Sequence, residues 1–162
     1  MPTDAPKNRK ARHFDSLEQE AFLNLWRTYD RLHLAEEVLF GRHDLTPQQY
    51  NVLRLLRAEH PGSVPTLALA SRLVSRAPDI TRMLDKLDLR ELILRERPSS
   101  NRRQVLVAIT GSGLTLLDAL DEDVRACHSR QLGHLPAADL RQLVELLKRA
   151  RGPHETDDSP WR

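Results

Sequence analysis

Between Leu92 and Ile109 the spacing of apolar residues changes period, and nothing else in the chain constrains its fold as tightly. Before this stretch, and again after Thr110, apolar residues recur every three or four positions, the repeat of a helix with one buried face. Within it, Ile93, Arg95 and Arg97 alternate with Leu94 and Glu96. Pro98-Ser99-Ser100-Asn101 reads as a turn, and Gln104-Val105-Leu106-Val107-Ala108-Ile109 as a returning strand. A lone hairpin is marginal in water, so this one needs a helical surface to cover one of its faces.

The preceding segment offers that surface. Thr46 reads as the N-cap of a helix with Pro47 in its first position and Gln49 at the reciprocal capping position. Val52, Leu53, Leu55 and Leu56 supply its buried side, and His60-Pro61-Gly62 stops it. Ser63-Val64-Pro65 is too short for a helix and reads as one edge strand. Thr66 is expected to cap a short helix carrying Leu67, Ala70 and Leu73. A tight connection at Val74-Ser75 leads to another helix, with Ser75 as its expected cap and Pro78 in its first turn. Its apolar stripe is Ile80, Leu84, Leu87 and Leu92, and Arg76, Asp79, Thr81, Arg82, Asp85 and Lys86 face outward. Two helices joined by a tight turn, the second polar outside, form a helix-turn-helix. Followed by the hairpin, this is a winged helix.

Two long helices flank this unit. The first opens on Asp15-Ser16-Leu17-Glu18-Gln19, a capping box of either Asp15 with Glu18 or Ser16 with Gln19, and runs to about Gly41. Another follows Thr110, with Leu114, Leu117, Leu120, Val124 and Cys127 along one side. Gly133-His134-Leu135-Pro136 breaks it before a last helix carrying Leu140, Leu143, Leu146 and Leu147. Apolar residues are 40% of the chain but aromatics only 4%, so the core is expected to be mainly aliphatic. The fold class is mainly α with a small β-hairpin wing. Residues 1–13 read as a flexible basic arm and residues 151–162 as a disordered tail.

The net charge of +2 hides a division. Residues 1–12 carry +3 and residues 72–103 carry +4, while residues 13–71 carry −3. A polyanion senses the local patch, within about 8–10 Å in physiological salt. The alternative is an ordinary solvated charged face.

Several classes are excluded or left without support. One cysteine cannot form an internal disulfide. No apolar run approaches the roughly 18 residues of a membrane helix, and no secretory signal is evident, so a cytoplasmic protein is expected. The seven histidines form no metal-ligand pattern. Gly111-Ser112-Gly113 lacks the Lys of a phosphate-binding loop, and no nucleophile elbow appears, so no enzyme, cofactor or metal is expected. Cys127, on an apolar helix side, reads as a buried structural cysteine rather than an oxidant sensor.

Leu45-Thr46-Pro47-Gln48-Gln49-Tyr50-Asn51-Val52-Leu53, Ile80-Thr81-Arg82-Met83-Leu84-Asp85-Lys86-Leu87, Asn101-Arg102-Arg103 and Val107-Ala108-Ile109-Thr110 resemble the MarR (multiple antibiotic resistance regulator) family of bacterial transcription factors, in order and at family spacing. The resemblance spans about residues 14–150. It implies a winged helix-turn-helix homodimer, with dimerisation helices at 14–40 and 110–150 and a DNA-binding lobe at 45–109. An intrachain helical bundle could bury the same leucines.

The resemblance also implies a sequence-specific regulator of double-stranded DNA, a repressor by expectation, on a pseudo-palindromic operator. Thr66, Ser75, Arg76, Ala77, Asp79, Thr81, Arg82 and Lys86 are the expected contacts around the recognition helix, which would enter the major groove. Asp79 reads alternatively as a helix-dipole stabiliser, and Arg82 as a surface ion pair with Asp85 or Asp79. On the wing, Ser99, Ser100, Asn101, Arg102 and Arg103 are expected at the minor groove, with Arg95 and Arg97 nearer the phosphates. The family usually has Asp where this chain has Asn101, which removes an ion pair from the turn and makes the tip more positive. Trp26, Tyr29 and His33 share a helix face that, with Tyr50, reads as a site for a small aromatic or phenolic effector, or else as core packing. The alternative function is a winged-helix protein–protein module without specific DNA binding.

Overall fold

The computed structural model describes residues 13–75 and 79–162. The basic arm, apart from His13, and the expected DNA contacts Arg76 and Ala77 lie outside these residues. The described elements run α1 (Leu17–Gly41), α2 (Pro47–Glu59), β1 (Val64–Pro65), α3 (Thr66–Arg72), α4 (Ile80–Leu89), β2 (Ile93–Glu96), β3 (Leu106–Ile109), α5 (Gly111–Leu132) and α6 (Ala137–Arg151). No described helix is long and apolar enough to cross a membrane. The chain divides into two units, residues 1–34 and 35–162.

In the first unit, of the two capping alternatives for α1, Ser16 with Gln19 is half realised, the return bond reaching Asp15 instead of Ser16. The Gln19 amide donates to Ser16 Oγ at 3.1 Å, and the Gln19 carboxamide oxygen accepts from the Asp15 amide at 2.7 Å. The rest of this unit is an amphipathic helix whose apolar side is uncovered in the single chain. Phe22 and Trp26, with ring centroids 6.2 Å apart, are each 61% exposed.

The second unit is built on a three-stranded antiparallel sheet in the order β1-β3-β2. Val64 pairs with Val107 on one edge of β3, and Ile93 with Ile109 on the other. Val107 is therefore central and fully buried. Over the sheet close Val52, Leu53 and Leu56 of α2, Leu69 of α3, and Met83, Leu84 and Leu87 of α4, an aliphatic core as the composition implies. The second helix starts as expected, with the Gln49 amide on Thr46 Oγ1 at 3.1 Å and the Gln49 side chain on the Thr46 amide at 2.9 Å.

Helix α5 joins the core through Leu117, Leu120, Val124 and Cys127. The burial that places Cys127 there also pushes its thiol above the ordinary range, in keeping with a structural cysteine. The expected sequence pattern does not mention one polar tie. Arg57 on α2 grips Asp121 on α5 with two hydrogen bonds of 3.0 and 2.9 Å. This paired donation holds the Asp121 carboxyl below its usual range.

Three local expectations need correction. Thr66 does not cap α3: its hydroxyl and its amide both donate to the Val105 carbonyl, at 3.1 and 3.0 Å, so the residue joins α3 to the sheet instead. The described helix α4 begins at Ile80 rather than after Ser75, and its cap is Asp79, whose carboxylate accepts from the Arg82 amide at 2.9 Å. An anionic oxygen satisfies an orphan amide and meets the positive end of the helix, which a more distant Ser75 cannot do. Residues 151–162 are ordered: α6 extends to Arg151, a 3-10 turn covers Gly152–His154, and the remainder folds back through named polar contacts. Composition favours disorder there, but the local Arg151, Glu155, Ser159 and Trp161 pairing overrides it.

Gly113 sits where α5 passes the root of the hairpin. A Cβ added there would run into the Leu92 carbonyl and the Ile109 side chain. Gly113→Ala is therefore expected to lower the thermal midpoint by about 2–10 °C, from an overpacking cost of roughly 1–3 kcal/mol in a chain of this size. Differential scanning calorimetry measures it; an unchanged midpoint would mean that the hairpin root yields freely.

Candidate nucleic-acid interface

The alternation of a strand decides where the wing arginines go. Successive side chains of β2 point to opposite faces, so Arg95 follows buried Ile93 toward the helix-turn-helix while Leu94 and Glu96 face outward. On α4, Asp85 and Asp88 are three residues apart and so lie on one face. They meet Arg95 there. Its Nε and Nη2 donate to Asp88 Oδ2 at 3.0 and 2.8 Å, and its Nη1 to Asp85 Oδ1 at 2.7 Å. Hydrogen bonding to Asp88 is the largest effect holding this guanidinium above its usual range. Arg95, expected nearer the phosphates, thus ties the wing to α4 through both carboxylates while also lining the groove between them.

At the tip the turn holds itself. The Asn101 amide donates to the Pro98 carbonyl at 3.1 Å, and Asn101 Oδ1 accepts from the Arg103 amide at 3.2 Å. Arg97 donates from Nη1 to the Arg102 carbonyl at 3.1 Å. Asn101 thus organises the turn without an ion pair, and Arg97 belongs to the same small network. Ser99, Ser100, Asn101, Arg102 and Arg103 are all exposed, and among the described residues neither Arg102 nor Arg103 has a carboxylate partner.

Between wing and helices lies a groove of about 610 Å³, lined by Thr66, Thr81, Arg95, Arg97, Asn101 and Arg103 with their apolar neighbours. Arg82 and Lys86 are also exposed on α4, and Arg82 makes no ion pair with Asp79 or Asp85 among the described residues. Ser75 is exposed but its hydroxyl accepts from Gln48 Nε2 at 3.2 Å, linking the turn to the start of α2. Asp79 is occupied as a cap, the helix-stabilising alternative of its two readings. Two cations of this region point elsewhere. Arg72 pairs with Glu59 at 2.6 Å, and Arg90 donates to the Asp44 and His43 carbonyls at 2.7 and 3.1 Å. What remains is a groove lined by two threonines and the cations Arg95, Arg97 and Arg103, with Arg82, Lys86 and Arg102 exposed on the flanking helix and wing tip, an arrangement suited to a polyanion.

The residues expected to hold an effector divide between the two units. In the first, Tyr29 and His33 stack with ring centroids 5.0 Å apart, and Trp26 and Tyr29 are exposed. In the second, Tyr50 stacks on Phe40 at 4.3 Å, and burial raises its phenol above the ordinary range. Tyr50 is therefore engaged in packing within its own unit.

A helix-turn-helix with a basic hairpin clamped beside its second helix defines a winged-helix DNA-binding protein. The family model for the MarR family matches residues 45–105. The crystal structure of a MarR transcription factor from Planctomyces limnophilus is 56% identical, covers 84% of this chain and 98% of its own, and superposes with a TM-score of 0.68. Among curated relatives, the HTH-type transcriptional regulator MhqR of Bacillus subtilis is 28% identical over 79% of this chain and 87% of its own length. The homoprotocatechuate degradative operon repressor of Escherichia coli is 29% identical, over 74% of this chain and 80% of its own. The chain belongs to the MarR family. It is a DNA-binding transcriptional regulator and not an enzyme.

The two possible roles of Arg95 predict opposite signs. If Arg95 clamps the wing, replacing Asp85 and Asp88 together by Asn weakens DNA binding by about threefold to tenfold, although it removes two negative charges beside the groove. If Arg95 instead contacted phosphate, the same variant would bind more tightly. Fluorescence anisotropy with duplex DNA at fixed salt distinguishes them.

Proposed function

We propose that this protein acts in the cytoplasm as a homodimeric repressor on a pseudo-palindromic operator, with α4 in the major groove and the wing at the adjacent minor groove. The observation that carries the reading is the basic groove between α4 and the wing, lined by Thr81, Arg95, Arg97 and Arg103, beside a tip that Asn101 holds in place. A clamped wing presents its guanidinium groups without a large ordering cost at binding, which is how preorganisation raises affinity. The repressor assignment draws support from the E. coli relative, which is named as a repressor.

Dimerisation is supported by apolar surface that one chain leaves open. In α6 no residue is buried, and Val144 and Leu146 are about half exposed. In α1, Leu17, Phe22, Leu25, Trp26 and Val38 are exposed along much of its length. Apolar patches of this extent are rare on monomers and mark association surfaces. Two copies also give the half-site spacing of about one helical turn that a palindromic operator requires.

Replacing Arg102 and Arg103 together by Ala is expected to weaken operator binding and to lower the slope of log affinity against log salt by roughly one to two units. Sedimentation of the wild-type complex is expected to give two chains per duplex, each of 18.6 kDa. An unchanged slope would remove the wing from the interface, and one chain per duplex would remove the dimer. A failure of the wild type to bind any duplex favours the protein–protein reading.

Release by a small aromatic acid completes the proposal. Its support is the helix face of exposed Trp26 and Tyr29 with half-buried His33, and a curated relative named as repressor of a homoprotocatechuate degradative operon. A hydroxylated aromatic acid at millimolar concentration is expected to raise the thermal midpoint and weaken operator binding. In a Tyr29→Ala variant both effects should disappear. Absence of both effects in the wild type across a panel of such acids would leave the aromatic face as packing surface.

A further inference from the structure

The end of the chain is built to reach back to the helix-turn-helix. Arg151, the last residue of α6, is its organiser. Its guanidinium lies 3.3 Å from the Glu155 carboxylate, donates to the Trp161 carbonyl at 3.2 and 3.0 Å, and stands 5.6 Å from the centre of the Trp161 ring. Ser159 closes the loop: its hydroxyl donates to Glu155 at 2.6 Å and accepts from the Trp161 amide at 3.2 Å. Arg162 pairs with Asp157. Arg151, Glu155 and Ser159 together thus hold Trp161 in place.

The indole goes to a specific place. Trp161 Nε1 donates to the carbonyl of Arg72 at 3.3 Å. Arg72 is the last residue of α3, and its carbonyl is among the final four that a helix leaves without an internal donor. Its side chain is tied to Glu59 at the end of α2. One residue later begins the turn to the recognition helix, where the Val74 amide is held by Asn51 Oδ1 at 3.2 Å. The tail therefore caps α3 where the chain turns toward α4. The DNA-facing groove uses none of these contacts.

We propose that residues 152–162 form a strap that ties the end of α6 to the α3–α4 turn, so that the state of the last helix influences how firmly the recognition helix is posed. An indole suits this task, because its N–H supplies the directional bond while the ring keeps a large contact with Arg151. A change that moves the end of α6, such as dimer rearrangement, would pull on a helix-capping bond eight residues before the start of α4 rather than acting only through the shared core. The consequence for DNA rests on the reading of α4 as a recognition helix; the strap itself does not.

The test uses the full chain and two variants, Trp161→Phe, which keeps a ring but loses the N–H, and Trp161→Ala. In the DNA-free protein, hydrogen exchange of the Leu73 and Val74 amides is expected to quicken by about two- to tenfold in both variants, the scale of one net hydrogen bond. Operator affinity should fall within the same range, with an unchanged salt slope because no phosphate contact is lost. Unchanged exchange at Leu73 and Val74, with faster exchange confined to residues 152–162, would overturn the strap. Faster exchange with unchanged affinity would overturn its influence on DNA binding. If the wild type bound no duplex, the DNA reading would fail while exchange at the turn still decided the strap.

Discussion

Strand β3 has to serve two partners at once, and the DNA-binding lobe depends on it. One edge takes Val64 and Pro65, just before α3, and the other takes Ile93 to Glu96, just after α4. The helix-turn-helix is therefore a loop whose two ends are pinned to the same four-residue strand. Buried backbone groups must be paired, so neither flanking strand can leave without stranding donors and acceptors. Val107 at the centre, with Val52, Leu53, Leu84 and Leu87 packed over it, turns that closed loop into a rigid one. Helix α4 is held at its base by sheet pairing rather than by its own ten residues, too few to be stable alone.

On that base the charges sort themselves by geometry. The segment 72–103 carries a net +4, yet several of its cations are paired within the protein. Arg72 goes to Glu59, Arg90 to two loop carbonyls, and Arg95 to Asp85 and Asp88. What these residues contribute is position. The Arg95 clamp matters most, because it converts a hairpin that would swing about two short strands into one fixed beside α4. The cations left over, Arg82, Lys86, Arg102 and Arg103, then face outward from a frame that the others hold.

Much of this frame can be read in the residue order, and the exceptions have physical causes. The switch from helical to alternating period marks the hairpin, and Thr46 with Gln49 marks α2, because both signals are local. The same alternation already sets Arg95 on the side of Ile93 and away from Leu94. Read strictly, it turns Arg95 inward, and the paired Asp85 and Asp88 are the partners an inward arginine needs. Arg57 and Asp121 are harder to foresee: their tie joins residues 64 apart, and each looks like an ordinary exposed helix charge until α2 and α5 are packed. At Asp79 two cap-competent residues compete, Ser75 and Asp79. The anionic side chain has the advantage of the helix dipole.

The tail shows where composition misleads. Residues 151–162 hold Gly, two Pro and three acids, which ordinarily describe a segment unable to bury enough surface to order itself. Order here does not come from burial. It comes from one arginine that meets a carboxylate, a carbonyl and an indole together, so that a single side chain offsets the entropy of several residues. Arg151, Glu155 and Ser159 follow at four-residue spacing, that of a helix face, although only Arg151 is in an α-helix and Trp161 lies off that pattern. A segment of this kind is ordered as long as its organiser is in place. That ties the order of the tail to α6, and, through Trp161, extends the frame of the DNA-binding lobe to the last residues of the chain.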